Sequence, residues 1–431
     1  MRSVPTLPAA LHHTDFRRLW VSFICSGLAL QMAQVAIGWQ VYSIHGSAFD
    51  LGLIGLAEFA PVPLLALPAG QLADRLPRVP VVIVWGFCDA AVLGLLLVVT
   101  LHGAQQLWQF VALAALTGTL GALGNPAGRS LTPELVPEDL LPGALALRSI
   151  GGQASTIGGP ALGGLLFAVR PSVVYVAGIV LLIASSVVLF PVKRPAAIAQ
   201  LAGEPPPRLE ALLAGIRFIR ETPVILGAIT LDLFAVLFGG AVALLPLFAK
   251  SILHTGPFGL GVLRSMVAVG ALLAGLRLAR KPLGGRAGRT LLTVVGVFGA
   301  CMVVFGLSRW FWLSALALAV SGFVDMFSVN IRQTTVALAT PNRLLGRVNA
   351  VESVFVGASN ELGAFESGAA AALLGAVPAV VAGGVLTIGL ALVWPKVFPA
   401  LARVDRLSAA SLREVLPVGG AGPAAAPEPA D

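Results

Sequence analysis

Charge is scarce in this 431-residue chain: Asp, Glu, Lys and Arg make up 11% of it, against 57% hydrophobic residues. So few charges cannot coat a soluble globule of this length, and soluble fold classes are excluded. Cysteine is scarce too. Cys25, Cys88 and Cys301 stand in apolar runs, so neither a disulfide framework nor a zinc site is expected, and all three are read as packing residues. His12, His13, His45, His102 and His254 fall in termini or loops without metal-ligand spacing. There is no Walker-type phosphate loop, and the Gly-rich stretch from Gly151 to Gly164 lies inside an apolar run, where a dinucleotide fingerprint has no meaning. No catalytic activity, cofactor or bound metal is expected.

What the chain has in abundance is long apolar segments. A spanning helix needs about 20 mainly apolar residues, and twelve are predicted near 19–43, 50–73, 79–101, 106–127, 142–169, 172–192, 223–249, 257–279, 290–308, 310–333, 346–374 and 376–398. They lack the alternation of barrel strands, so an all-α integral membrane fold is expected. The chain also repeats itself. Gly55, Glu58 and Leu72-Ala73-Asp74-Arg75 fall against Gly261, Arg264 and Leu278-Ala279-Arg280-Lys281 at an offset of 206, and Gly158 and Gly163 fall against Gly363 and Gly368 at 205. Two pseudo-symmetric six-helix bundles follow, over 1–192 and 223–399, with a linker at 193–222 and a tail at 400–431.

The net charge of +8 is topological rather than a nucleic-acid signal. With the N-terminus inside, 24 Lys and Arg residues fall on cytoplasmic segments, three outside (Arg170, Lys250 and Arg309) and one, Arg264, within a span. By the positive-inside rule both termini are cytoplasmic. Trp20, Trp108, Trp310, Trp312 and Trp394 lie near span ends, as interfacial anchors do. The polar opening before a full-length first span predicts no cleavable signal. In the linker, three prolines at 205–207 precede Leu209, Leu212, Leu213, Ile216 and Ile219 on one helical face, which fits an interfacial helix or an ordinary linker helix packed on the bundle. The tail past Trp394 offers one more basic surface helix and then a Gly/Pro/Ala-rich end too polar to order itself.

After the second span the sequence reads Gly70-Gln-Leu-Ala-Asp74-Arg75-Leu-Pro-Arg78, a Gly, a small apolar stretch, Asp-Arg and a further basic residue. In the fifth span Gly158-Gly159-Pro160-Ala-Leu-Gly163-Gly164 supplies small residues for close helix approach and a proline that can distort the helix. Both motifs resemble those of the major facilitator superfamily, the second its exporters. With FRRLW at 16–20, Asn125-Pro126 through Pro137, and Pro246-Leu-Phe, the chain resembles the subgroup of the enterobactin exporter and the macrolide efflux proteins. The resemblance covers about residues 15 to 399. It implies a cytoplasmic latch at Gly70, Asp74, Arg75 and Arg78, although Pro77 replaces the usual Gly and the repeat copy has Arg280 where Asp74 stands. It further implies that spans 1, 4, 7 and 10 line a central cavity.

Ionisable residues inside a membrane are costly and usually face protein or a water-filled cavity. Here they are Glu58, Asp89, Asp232, Arg264, Asp325, Glu352, Glu361 and Glu366. Asp232 and Asp325, on spans 7 and 10, are the candidates for proton coupling, because burial disfavours a carboxylate's charged form and lets it carry a proton between two sides. Asp89 reads as a structural partner and Glu352 as an interfacial charge. Glu58 and Arg264 are repeat-equivalent, opposite in charge and similar in depth, so they are candidates for an external gate; separate partners, fifth-span carbonyls or Glu361 for Arg264, are the alternative. Gln31, Gln34 and Trp39, with Glu361, are substrate-cavity candidates, or the glutamines simply bond helix to helix.

The sequence thus predicts a monomeric alternating-access secondary transporter of the cytoplasmic membrane, surrounded by lipid, that couples protons to export of a hydrophobic or amphipathic small molecule such as a drug, siderophore or metabolite. A phospholipid or lysophospholipid translocator and a ligand sensor that does not transport are the alternatives on the same fold.

Overall fold

The computed structural model describes residues 9–65, 76–103, 106–192, 208–281, 283 and 285–405. In the first half α1 spans Thr14–His45, α2 Ala48–Leu65, α3 Arg78–His102, α4 Leu107–Glu134, α5 Leu141–Val169 and α6 Pro171–Leu189. A linker helix, Arg208–Glu221, leads to α7 Pro223–Ile252, α8 Gly256–Arg280, α9 Ala287–Leu307, α10 Phe311–Ala339, α11 Asn342–Leu374 and α12 Ala376–Val397.

Ten of these are long and apolar enough to cross a membrane. α5 and α11, with 29 and 33 residues, are long enough but more polar, since they carry Arg148 and Gln153, and Glu352, Asn360, Glu361 and Glu366. At 1.5 Å per residue they reach roughly 43 and 50 Å. They lie between the two halves, where polar side chains find protein instead of lipid.

Local chemistry sets the helix ends. Gly46 and Gly103 adopt φ of 67° and 71°, left-handed values that close α1 and α3. Ser47 accepts a hydrogen bond from the Asp50 amide at 3.3 Å to start α2, and a Gln106–Gln109 capping box starts α4. Proline stands at the first helical turn of α6, α7 and α8, where its missing N–H costs nothing.

Packing is the same in both halves. α1 lies against α5 and α6 as α7 lies against α11 and α12; α3 pairs with α6 as α9 does with α12; α2 pairs with α4 as α8 does with α10. Across the halves α5 packs on α8 and α11 on α2. Helix directions alternate, so the start of α1 and the end of α12 share one face, called here the terminal face.

α7 is not a continuous α-helix. After Gly239-Gly240 it passes through a 3-10 turn at Ala241–Leu244 and a π-turn at Phe248–Ile252, near the face opposite the termini. Leu244, Leu245, Phe248 and Ala249 there are fully buried. The linker helix turns Ile216 and Ile219 into a cluster with Ile225, Ile229, Val336, Val348 and Val351, so its apolar face packs on the bundle. The expected tail disorder and the three linker prolines lie outside the described residues.

Candidate functional site

A cavity of about 860 Å³ lies between the halves. It is lined by Glu58, Phe59, Val62 and Pro63 of α2, Trp85 and Asp89 of α3, residues Thr117 to Ser130 along α4, and residues Ser353 to Glu361 along α11. Each of these stretches runs from mid-helix toward the terminal face, so the cavity occupies that half of the protein.

The opposite half is closed by backbone contact between the bundles. A Cβ added at Gly164 of α5 would stand 2.5 Å from the Pro257 carbonyl and 3.0 Å from Gly261 Cα of α8. One added at Gly368 of α11 would stand 2.8 Å from the Ala48 carbonyl and 2.9 Å from Gly52 Cα of α2. Only glycine allows such approach, and the two crossings are pseudo-symmetric mates. Gly159 and Gly163 do the same within one half, against Gln31 Cβ (2.5 Å) and Met32 Cα (2.9 Å) of α1, while Pro160 is buried beside them. Polar contacts add to the closure. Tyr42 and Ser251 share a hydrogen bond of 2.8 Å, Lys250 donates to the Ser43 carbonyl at 3.2 Å, and Ser265 donates to the Ile157 carbonyl at 2.7 Å.

Arg264 of α8 reaches across to the first half, near two of the carboxylates that line the cavity. Its guanidinium donates to Gln34 of α1 at 2.7 Å, and the charges of Glu58 and Glu361 act on it. No ion pair joins Arg264 to Glu58 among the described residues. Of the cavity candidates Glu361 lines the space, whereas Gln31 faces Gly159, Gln34 holds Arg264, and Trp39 packs on the buried core. Gln40 bonds Thr100 and Tyr175 within the first half, which is helix-to-helix bonding.

A second polar centre lies in the other half. Arg332 of α10, 3% exposed, pairs with Asp232 of α7 and donates from Nε to Glu352 of α11 at 3.1 Å. Asp325 is close enough for the charges of Asp232 and Arg332 to act on it. Two sequence readings are corrected here. Arg332, assigned to a cytoplasmic segment, is buried within α10, and Glu352, read as an interfacial charge, is its buried partner. The signal was present: Arg332 follows Asp325 by seven residues, two helical turns on one face, and lies inside the predicted tenth span. Asp89, read as a structural partner, lines the cavity instead with one carboxylate oxygen unbonded.

Of the latch residues, Gly70, Asp74 and Arg75 lie outside the described residues. Arg78 pairs with Glu134 at the end of α4 and reaches the Ser130 carbonyl at 3.5 Å. These contacts tie α3 to α4 within one half.

Two six-helix bundles with a solute-sized cavity between them, open on one side of the midplane and sealed on the other, define a secondary transporter of the major facilitator fold. Residues 6–416 match the transmembrane secretion effector family, and the chain belongs to it. It is 26% identical over 388 residues to the enterobactin exporter EntS of Shigella dysenteriae serotype 1 (88% of this chain, 91% of that one), and 27% identical over 343 residues to that of Citrobacter koseri (78% and 80%). In fold it is similar to a bacterial homologue of the lysosomal transporter Spinster (TM-score 0.71, 12% identity, 96% of this chain and 100% of that one) and to a bacterial homologue of the iron transporter ferroportin (TM-score 0.66, 18% identity, 88% and 98%). The family and these relatives are transporters rather than enzymes.

Proposed function

We propose that this transporter is a proton-coupled exporter of the inner membrane that loads an amphipathic small molecule from the cytoplasm, with its terminal face on the cytoplasmic side. The observation that supports it is the cavity of about 860 Å³ on the terminal side of a closed outer half, within the roughly 300–1,000 Å³ range of drug-sized sites. The basic residues concentrated on the terminal side support this orientation, and the relatives named as enterobactin exporters favour outward movement and a siderophore or similar metabolite. The protein acts as a monomer among membrane lipids.

Proton coupling is assigned to Asp232 and Asp325. A proton on Asp232 would cancel its attraction for Arg332 and leave that guanidinium to Glu352, loosening α7 from α10 while keeping α10 on α11. The latch at Gly70, Asp74, Arg75 and Arg78 would brace the cytoplasmic ends when the cavity shuts there. Glu58 would act with Arg264 in the external gate, with Gln34 as the group that holds Arg264 while the gate is closed.

Purified protein in liposomes, loaded with a fluorescent amphipathic solute and given a proton gradient, tests this reading. Solute movement that follows the gradient, with proton flux on solute addition, is the expected result. Movement of a labelled phospholipid headgroup without solute flux would instead establish a lipid translocator, and ligand binding with neither flux would establish a sensor.

A further inference from the structure

We propose that the cavity selects organic cations, seating a positively charged nitrogen or phosphorus centre among Glu58, Asp89 and Glu361 with the apolar body along α2 and α3; this rests on the transporter reading above. Three carboxylates from α2, α3 and α11, on both halves of the protein, line one space. They form a single electrostatic group, since the charge of Glu58 acts on both Asp89 and Glu361. One guanidinium, that of Arg264, acts on Glu58 and Glu361, and its own hydrogen bond goes to Gln34. It cannot neutralise all three. The basic residue among the lining, Arg129, stands near the end of α4 at the cavity mouth.

Asp89 carries the argument furthest. It is 4% exposed, it lines the cavity, and its Oδ1 has no hydrogen-bond partner. A buried carboxylate oxygen without a donor is costly, and native proteins rarely leave one so. The two other carboxylates bordering this space offer no donor when ionised. A cationic ligand in the cavity compensates the charge of this carboxylate; an anionic ligand adds a repulsion.

The surrounding surface fits the rest of such a molecule. Trp85 lies one turn before Asp89 on α3 and lines the same cavity, adding aromatic surface beside the carboxylate. Phe59 next to Glu58, with Val62 and Pro63 about one turn beyond it, forms an apolar wall. Charge at the top and apolar surface below match a bulky lipophilic cation.

The test uses the full-length protein in lipid nanodiscs at one neutral pH, with saturation binding of tetraphenylphosphonium and of tetraphenylborate, ions of one shape and opposite charge, each corrected against empty nanodiscs. Saturable binding of the phosphonium and none of the borate is expected. Asp89→Asn and Glu58→Gln should each weaken phosphonium binding by at least about tenfold, and Glu221→Gln on the linker helix should leave it unchanged. Borate binding as tight as phosphonium binding overturns the proposal on the unmodified protein, whatever the variants do. So does wild-type phosphonium affinity in both variants. The transporter reading fails separately: if spin labels at Val169 of α5 and Phe258 of α8 never separate under any gradient or ligand, the protein does not cycle, and cation-selective binding then stands as a receptor site.

Discussion

Arg332 and Asp232 form a buried ion pair between α10 and α7, apart from the carboxylates that line the large cavity. Glu352 shares the same guanidinium from α11. Three helices are thereby held by one cation, and neutralising Arg332 leaves both carboxylates without compensation.

Arg332→Gln should therefore lower stability by about 3–5 kcal/mol, the usual loss when one member of a buried pair is removed. The double variant Arg332→Gln with Asp232→Asn should recover part of it. Thermal unfolding of the four proteins in detergent measures the coupling, and strictly additive losses would show that Asp232 is satisfied elsewhere.

Asp232→Asn and Asp325→Asn should abolish gradient-driven transport while leaving ligand binding largely intact. Substrate-induced proton movement in proteoliposomes is the direct readout. Wild-type proton movement in both variants would make these aspartates structural only.

Gly164→Leu should force the outer ends of α5 and α8 apart, because its side chain would enter the space held by the Pro257 carbonyl and Gly261. Overpacking of this kind costs about 1–3 kcal/mol, enough to shift an equilibrium by roughly five- to 150-fold toward the outward-open state. Distances between spin labels at Val169 and Phe258 would report it, and an unchanged distribution would mean that the crossing yields without opening.

The bond from Arg264 to Gln34 should contribute about 1.5–3 kcal/mol, as hydrogen bonds to charged groups do. In double-variant cycles read by the same outer-face distances, Arg264→Gln should couple more strongly to Gln34→Ala than to Glu58→Gln. The exchange Glu58→Arg with Arg264→Glu, which a direct pair would tolerate in part, should recover little. Strong recovery would restore the direct gate.

Topology has its own check. Cysteines placed at Ser3 and Ala424 should resist an impermeant thiol reagent in intact cells, and one at Gln105 should react. Labelling of either terminus from outside would invert the orientation used here.

Much of the architecture was legible in the sequence because membrane helices announce themselves by length and because the repeat fixes how they group. The small-residue motif at Gly159 to Gly164 was legible for the same reason: close approach needs glycine, and glycine is visible in a sequence. Side-chain partnership was not. Gln34 carries no sign that it will meet Arg264, which is 230 residues away. Arg332 lay near a predicted span end, where a basic residue is ordinarily topogenic; its spacing from Asp325 hinted at a shared face, but its partners Asp232 and Glu352 are identified only in three dimensions. Asp89 shows the converse, since a lone intramembrane acid suggests a partner and its missing bond is visible only in space.

The irregular outer third of α7 sets a constraint on how the molecule can move. Backbone that leaves the α-helical ladder at membrane depth is tolerated only inside protein or along water, never against lipid. The stretch from Ala241 to Ile252 combines 3-10 and π-turns with full burial of Leu244, Leu245, Phe248 and Ala249, and Gly240 lies where an added Cβ would be 2.8 Å from the Gly363 carbonyl of α11. Whatever the rest of the second bundle does, this segment must keep its wrapping of neighbours. That sets a limit on travel: any motion of the neighbouring helices must stop where it would bring these carbonyls into hydrocarbon.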